Sequence, residues 1–233
     1  MKYDSKGSAA APAVGGAPLP RRAFDRYALI LLGCVVAAGA LILLAMCTYP
    51  IHYSWPRYYL SAMGLTRLND GTDNHFTALI FNSALVLSGV MSASYFILRG
   101  SLAMRKAWKY PLWISGLVGG LALAGIGLVP YNLGPDVHNW CTYFASGGFV
   151  LAIILCLGTG DTPASSASDN LLWSLFGVFV LLVWVALNDL RSRSLLPSTP
   201  TGQLQQKILV AFFWFYMFWN SLNLYRRTRR KAD

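Results

Sequence analysis

Residues 28–48 read ALILLGCVVAAGALILLAMCT, twenty-one positions without a single charge. About 20 apolar residues at 1.5 Å each cross the roughly 30 Å hydrocarbon core of a bilayer. Five further stretches have the same character: 76–98, 110–129, 139–158, 171–188 and 208–224, none with a Lys, Arg, Asp, Glu or His. Lipid offers no water to backbone N–H and C=O groups, so each stretch must be a helix, or else part of a closed barrel of alternating strands. The stretches do not alternate. The expected fold is therefore all-α, a polytopic membrane protein built as a bundle of six transmembrane helices.

Composition agrees. The 233 residues are 55% hydrophobic and only 12% charged, half the charge of an ordinary soluble domain, about 25%. Nineteen Lys and Arg stand against nine acids, all Asp, for a formal +10. In a polar chain that excess would suggest nucleic acid; here its position matters more. Fourteen of the nineteen fall on the N-terminal tail, the second connection (Arg99 to Lys109) and the C-terminal tail. Short cytoplasmic segments collect Lys and Arg, so both termini are expected in the cytoplasm, their basic residues facing anionic headgroups. No nucleic-acid partner is expected.

Three segments follow. Residues 1–26 form a basic tail rich in Pro, Ala and Gly that lacks apolar periodicity and reads as disordered. Residues 27–225 hold the six-helix domain, and 226–233 form a second basic tail. The first stretch starts too late and runs too long for a signal core, so it reads as a retained helix. Leu44-Ala45-Met46-Cys47 resembles a lipoprotein cleavage box only superficially, since Met46 is too bulky for the position before the Cys. Cys47 and Cys141 lie where a bridge would form if their helices touched, though free buried thiols are the simpler reading.

The longest connection, about Tyr49 to Asn74, opens with an aromatic cluster that includes Trp55 and Tyr59 and suits the headgroup level. Residues 61–68 read as a short turn or interfacial helix. The last outer connection is expected over Asp189–Gln206. Gly116, Gly120 and Ala124, four apart, and Gly148 with Ala152 allow helices to approach closely.

Motifs for phosphate loops, zinc proteases, dithiol redox centres and nucleophile elbows are absent. Ion-free spans argue against a pump or proton-coupled carrier. Candidate chemistry is thus confined to the outer rim: His75 opening the second helix, Asp136 and His138 opening the fourth, Asp189 closing the fifth. A His with an Asp would serve acid–base work on a lipid headgroup; capping and solvation are the plain alternative. No metal site is expected. Candidate lipid or ligand contacts are Asn82, an amide two turns inside the second helix, and Trp214, Tyr216 and Trp219 of an aromatic run, with Trp55 and Tyr59 of the outer loop. Asn220 and Asn223 read as interhelical hydrogen-bonding groups.

Tyr59-Leu60-Ser61-Ala62-Met63-Gly64 leads into Leu79-Ile80-Phe81-Asn82 and Leu87-Ser88-Gly89, followed by Gly127-Leu128-Val129-Pro130 and His138. This pattern resembles the six-helix Frag/DRAM/Sfk group of membrane proteins and its bacterial relatives of unknown function. The resemblance covers about residues 28–224 and places Ser61, Gly64, Asn82, Pro130 and His138 at the matching positions. It implies six helices, a connection with membrane lipids and a plasma membrane of bacterial type, and it assigns no catalytic residue.

The leading expectation is a non-enzymatic protein that binds lipid or serves as an accessory subunit to partner membrane proteins. Two rivals stand beside it. One is an outer-face lipid-remodelling enzyme using His138 with Asp136 or His75. The other is a haem- or quinone-binding redox subunit. No cofactor is expected beyond bound lipid.

Overall fold

The computed structural model describes residues 21–103, 106–160, 162, 166–193 and 198–230. Six helices follow in order: α1 (Arg21–Thr48), α2 (His75–Ser101), α3 (Lys106–Leu128), α4 (Pro135–Leu155), α5 (Ala167–Ser192) and α6 (Ser198–Arg230). All six are long and apolar enough to cross a membrane, and this is a multi-pass membrane protein. Short 3-10 turns lie at Leu60–Gly64, inside the first connection, and at Cys156–Thr159, after α4. No strand occurs among the described residues.

Local chemistry sets the helix ends. Pro135 starts α4, where its missing N–H costs nothing. Before α5, Ser166 Oγ accepts the Asp169 N–H at 3.1 Å and Asp169 Oδ2 accepts the Ser166 N–H at 3.2 Å, a reciprocal capping pair. Thr77 Oγ of α2 donates to the Thr48 carbonyl at 2.7 Å, joining the end of α1 to the start of α2.

The spans lie where the hydropathy places them, but most helices are longer than expected, α6 above all. Helix α6 begins at Ser198, so the polar residues up to Gln206 belong to a helix and not to a connection. Pro200 is tolerated because it sits in the first turn, and the glutamines that follow donate to neighbouring segments. Arg99, assigned above to a connection, is in the last turn of α2. The tail expected over 1–26 lies outside the described residues as far as residue 20, and α1 is already helical from Arg21. The final three residues of the second tail also lie outside them.

Ala28 near the start of α1 and Leu224 near the end of α6 share one buried cluster. The two termini therefore leave from the same face, called here the terminal face; the opposite one, carrying the long first connection, is the loop face. The most extensive helix contacts join α2 to α3 and α3 to α4. There the small residues work as spacers. A Cβ at Gly120 would lie 2.6 Å from the Gly89 carbonyl oxygen and 2.7 Å from Ala93 Cβ, and one at Gly148 would lie 2.7 Å from the Gly119 nitrogen. Aromatic rings fill the terminal half of the interior: Tyr216 stacks on Phe96 at 6.1 Å, and Phe149 meets Phe213 at 5.0 Å. All four cysteines are free.

This packing yields a paired test. Gly120→Ala pushes a methyl into backbone and should destabilise the protein by about 1–3 kcal/mol. Gly147→Ala has open space around it and should be neutral or stabilising by about 0.5–1 kcal/mol. Thermal unfolding in detergent compares the two; equal effects would show that α2 and α3 do not pack as described.

Candidate functional site

The site is built from the irregular first connection and the three helix ends beside it. Residues 49–74 expose backbone groups that no regular structure satisfies, and side chains from α6 take them up. Gln206 Oε1 accepts the Leu60 N–H at 2.7 Å while its Nε2 donates to Ser61 Oγ at 3.3 Å. Gln203 Nε2 donates to the Arg57 carbonyl at 3.3 Å. Lys207 Nζ donates to the carbonyls of Trp55 and Tyr58 and lies 5.8 Å from the Tyr53 ring centre and 5.5 Å from that of Trp55. Residues 203, 206 and 207 share a helix face at i, i+3 and i+4 spacing. That face is a clasp.

Other elements hold the connection from below. Asn82 Nδ2 donates to the Gly64 carbonyl at 3.2 Å, and a Cβ at Gly64 would sit 2.6 Å from Asn82 Oδ1. Asn74 Nδ2 donates to the Leu65 carbonyl at 2.6 Å and to that of Met63 at 3.2 Å. Thr66 and Asn132 exchange two hydrogen bonds, tying the connection to the turn before α4. Tyr49, Tyr53 and Tyr58 pack together, and burial pushes the Tyr49 and Tyr53 hydroxyls above the ordinary phenol range.

Beneath this clasped connection lie two adjoining cavities. The outer one, a vestibule of about 910 Å³, is walled by Arg57, Tyr58, Tyr59 and Ser61 of the connection, with α4, the end of α5 and the start of α6 completing it. The inner one, a slot of about 140 Å³, descends among α1, α2, α4 and α6 and is almost wholly apolar. Ser61, His138, Thr142, Ser146, Gln206 and Leu209 line both. The vestibule rim includes Tyr143 of α4, 57% exposed, and Val185 of α5, 51% exposed, so it opens sideways between these helices.

His138 stands at the junction of the two cavities and is only 7% exposed. Its Nδ1 lies 2.9 Å from the Val129 carbonyl oxygen. A carbonyl only accepts, so Nδ1 carries the proton, and in the neutral ring Nε2 is the acceptor. Pro130 sets this up: its own carbonyl receives the Leu133 and Gly134 N–H groups, which turns the chain back so that Val129 faces the first turn of α4. The ring is held edge-on to Tyr131, with centroids 5.6 Å apart.

No family model matches the chain, and no curated protein and no solved structure matches it. The site is therefore read from its own residues.

The structure separates the expected His and Asp residues. Asp136 is exposed, and two residues along a helix do not face each other. His75 pairs with Asp73 on the surface and lines neither cavity; its hydrogen bond holds the Asp73 carboxyl below the usual range. Asp189 pairs with Arg193 at 2.9 Å. Among the described residues, no group of three or more His, Cys and Asp side chains is arranged to hold a metal. Trp214 and Tyr216 line the slot and Tyr59 the vestibule. Trp219 is on the outer surface, Trp55 contributes its carbonyl to Lys207, and Asn82 supports the connection. Asn220 bonds within its own helix.

Arg57, Thr142, Ser146, Gln203, Gln205, Gln206 and Lys207 were not expected at a site. The spacing of Gln203, Gln206 and Lys207 carried the signal for one helix face, but it lay in a stretch read as a connection.

A second polar knot lies at the terminal face. Arg99, 1% exposed, donates from Nη2 to Asn170 Oδ1 at 2.7 Å and Thr159 Oγ at 3.2 Å. Its Nε and Nη1 find no partner among the described residues. Breaking one partner of a buried charge costs more than replacing the charge by an apolar isostere. Asn170→Ala should therefore destabilise the protein by about 1.5–3 kcal/mol, and Arg99→Met by less. Chemical denaturation in detergent measures both; the reverse order would show that the guanidinium itself stabilises the fold.

Proposed function

We propose that this protein binds a membrane lipid, its polar head in the vestibule and a hydrocarbon chain in the slot, without performing chemistry on it. One observation carries the reading: a cavity of mixed polar and apolar lining and an almost wholly apolar one share six lining residues, and the first opens on the flank of the bundle. An aqueous ligand would have little use for the apolar extension, and a purely apolar one would leave the polar groups of the vestibule without partners. The lateral opening between α4 and α5 suits a ligand that arrives through the bilayer.

The excess of basic residues toward the terminal face supports an orientation with both termini in the cytoplasm and the vestibule in the outer leaflet. The resemblance noted above supports a bacterial plasma membrane. Protease added to sealed cells should leave both tails intact; cleavage from outside would reverse the orientation.

Protein purified in mild detergent should retain lipid that denaturation releases and mass spectrometry identifies. Monodisperse protein carrying no lipid would overturn the proposal.

A second reading has one observation in its favour. The proton on His138 Nδ1 leaves Nε2 as the acceptor of a side chain that lines both cavities, as a lipid-remodelling enzyme would need. His138→Gln should then alter the cellular lipid profile while lipid retention persists. An unchanged profile would remove the enzymatic reading.

A further inference from the structure

We infer that the cavity recognises an anionic amphiphile through one head and one hydrocarbon chain, a fatty acid or a lysophospholipid. The inference rests on the lipid-binding reading and names its ligand class.

Charge selects the head. Among the residues lining the vestibule, Arg57 is the cation, and no carboxylate is present. Two of the other polar side chains there, Gln205 and Gln206, are engaged by protein. Gln206 uses both ends of its amide on Leu60 and Ser61, and Gln205 donates to the Trp184 carbonyl at 3.0 Å. A carboxylate or phosphate group therefore finds the exposed cation Arg57 in the wall and no acid among the lining residues, while a zwitterionic head brings an ammonium with no lining anion to meet.

Volume selects the chain. The slot extends along α4 from His138 to Phe149, about 16 Å of helix at 1.5 Å per residue. Its volume of about 140 Å³ is close to the ~150 Å³ of an apolar cavity that accepts one benzene. Such a space takes the segment of one chain; two chains side by side do not fit. A second chain would remain at the rim between Tyr143 and Val185 and add nothing to the grip. The vestibule, at about 910 Å³, is near the upper end of cavities that hold one small ligand, about 1,000 Å³, and takes the head with the first part of the chain.

Full-length protein in phosphatidylcholine nanodiscs provides the test, with tryptophan fluorescence as the readout, since Trp184 lines the vestibule and Trp214 the slot. The probes are lauric acid, lauroyl lysophosphatidylglycerol, lauroyl lysophosphatidylcholine and dilauroyl phosphatidylglycerol. Lauric acid or lauroyl lysophosphatidylglycerol should bind at least as tightly as the two-chain phosphatidylglycerol, and the tighter of the two identifies the source of the anion. The choline probe should bind about tenfold more weakly, and Arg57→Gln should remove that difference, as expected for one charge-assisted hydrogen bond. Ala38→Leu on α1 and Ala145→Leu on α4 each fill the slot. Each should weaken single-chain binding about tenfold, with Gly147→Ala as a control that leaves it unchanged; both are scored only as monodisperse protein, and either suffices. If dilauroyl phosphatidylglycerol binds tenfold tighter than every single-chain probe, or if the choline and glycerol heads bind equally, this inference falls while lipid binding stands. If no probe binds and purified protein carries no lipid, both fall.

Discussion

The backbone of residues 49–74 must find hydrogen-bond partners, and the loop face of this protein is organised around that need. Helices satisfy their own N–H and C=O groups, so the six spans are safe in lipid wherever they lie. An irregular segment at the rim has no such recourse. Here the missing partners come from side chains: Gln203, Gln206 and Lys207 on α6, Asn82 on α2, and Asn74 at the start of α2. Lys207 is the extreme case, a buried cation whose bonds go to two carbonyls and whose charge rests against the rings of Tyr53 and Trp55. Because these bonds hold the connection across the bundle, the connection can roof a cavity without collapsing into it.

The cavity beneath depends on an unequal distribution of small residues. On α2, α3 and α4, Gly89, Gly120 and Gly148 bring backbones together and leave no room for a side chain. Helix α6 instead carries Phe212, Phe213, Trp214, Tyr216 and Phe218, whose bulk keeps it at a greater distance from α4. Toward the terminal face those rings interlock with Phe96 and Phe149 and fill the space. Toward the loop face the ring-bearing positions of α6 end, Ser, Thr, Gln and His join the Tyr and Trp side chains of the other segments in the lining, and the gap stays open. An apolar slot under a more polar vestibule follows from that gradient in side-chain size and polarity.

The matching positions of the resemblance acquire a physical meaning in this arrangement. Gly64 leaves room for the Asn82 amide, Ser61 receives a hydrogen bond from Gln206, and Pro130 turns the Val129 carbonyl toward His138. Each is a positioning role around the cavity. The pairing of His138 with a carboxylate, expected from Asp136 two residues earlier, fails for a simple reason: positions i and i+2 of a helix diverge by about 200°.

What the sequence determined by itself was the number of helices, their type and the common face of the two termini. Hydropathy accumulates residue by residue along the chain, and lipid permits one backbone solution for such stretches, so no knowledge of neighbours was required. The glycine spacing on α3 also announced close packing, though not against which helix. The site was only partly legible. His138, Trp214, Tyr216 and Tyr59 were recognisable by type, whereas Gln206 and Lys207 looked like residues of a solvated connection. Their partners lie about 150 positions away in the chain, and which side chains meet across that distance depends on how far each helix is rotated and how closely it can approach its neighbours. Those quantities are set by packing among all six helices at once. Only the tertiary structure decides them.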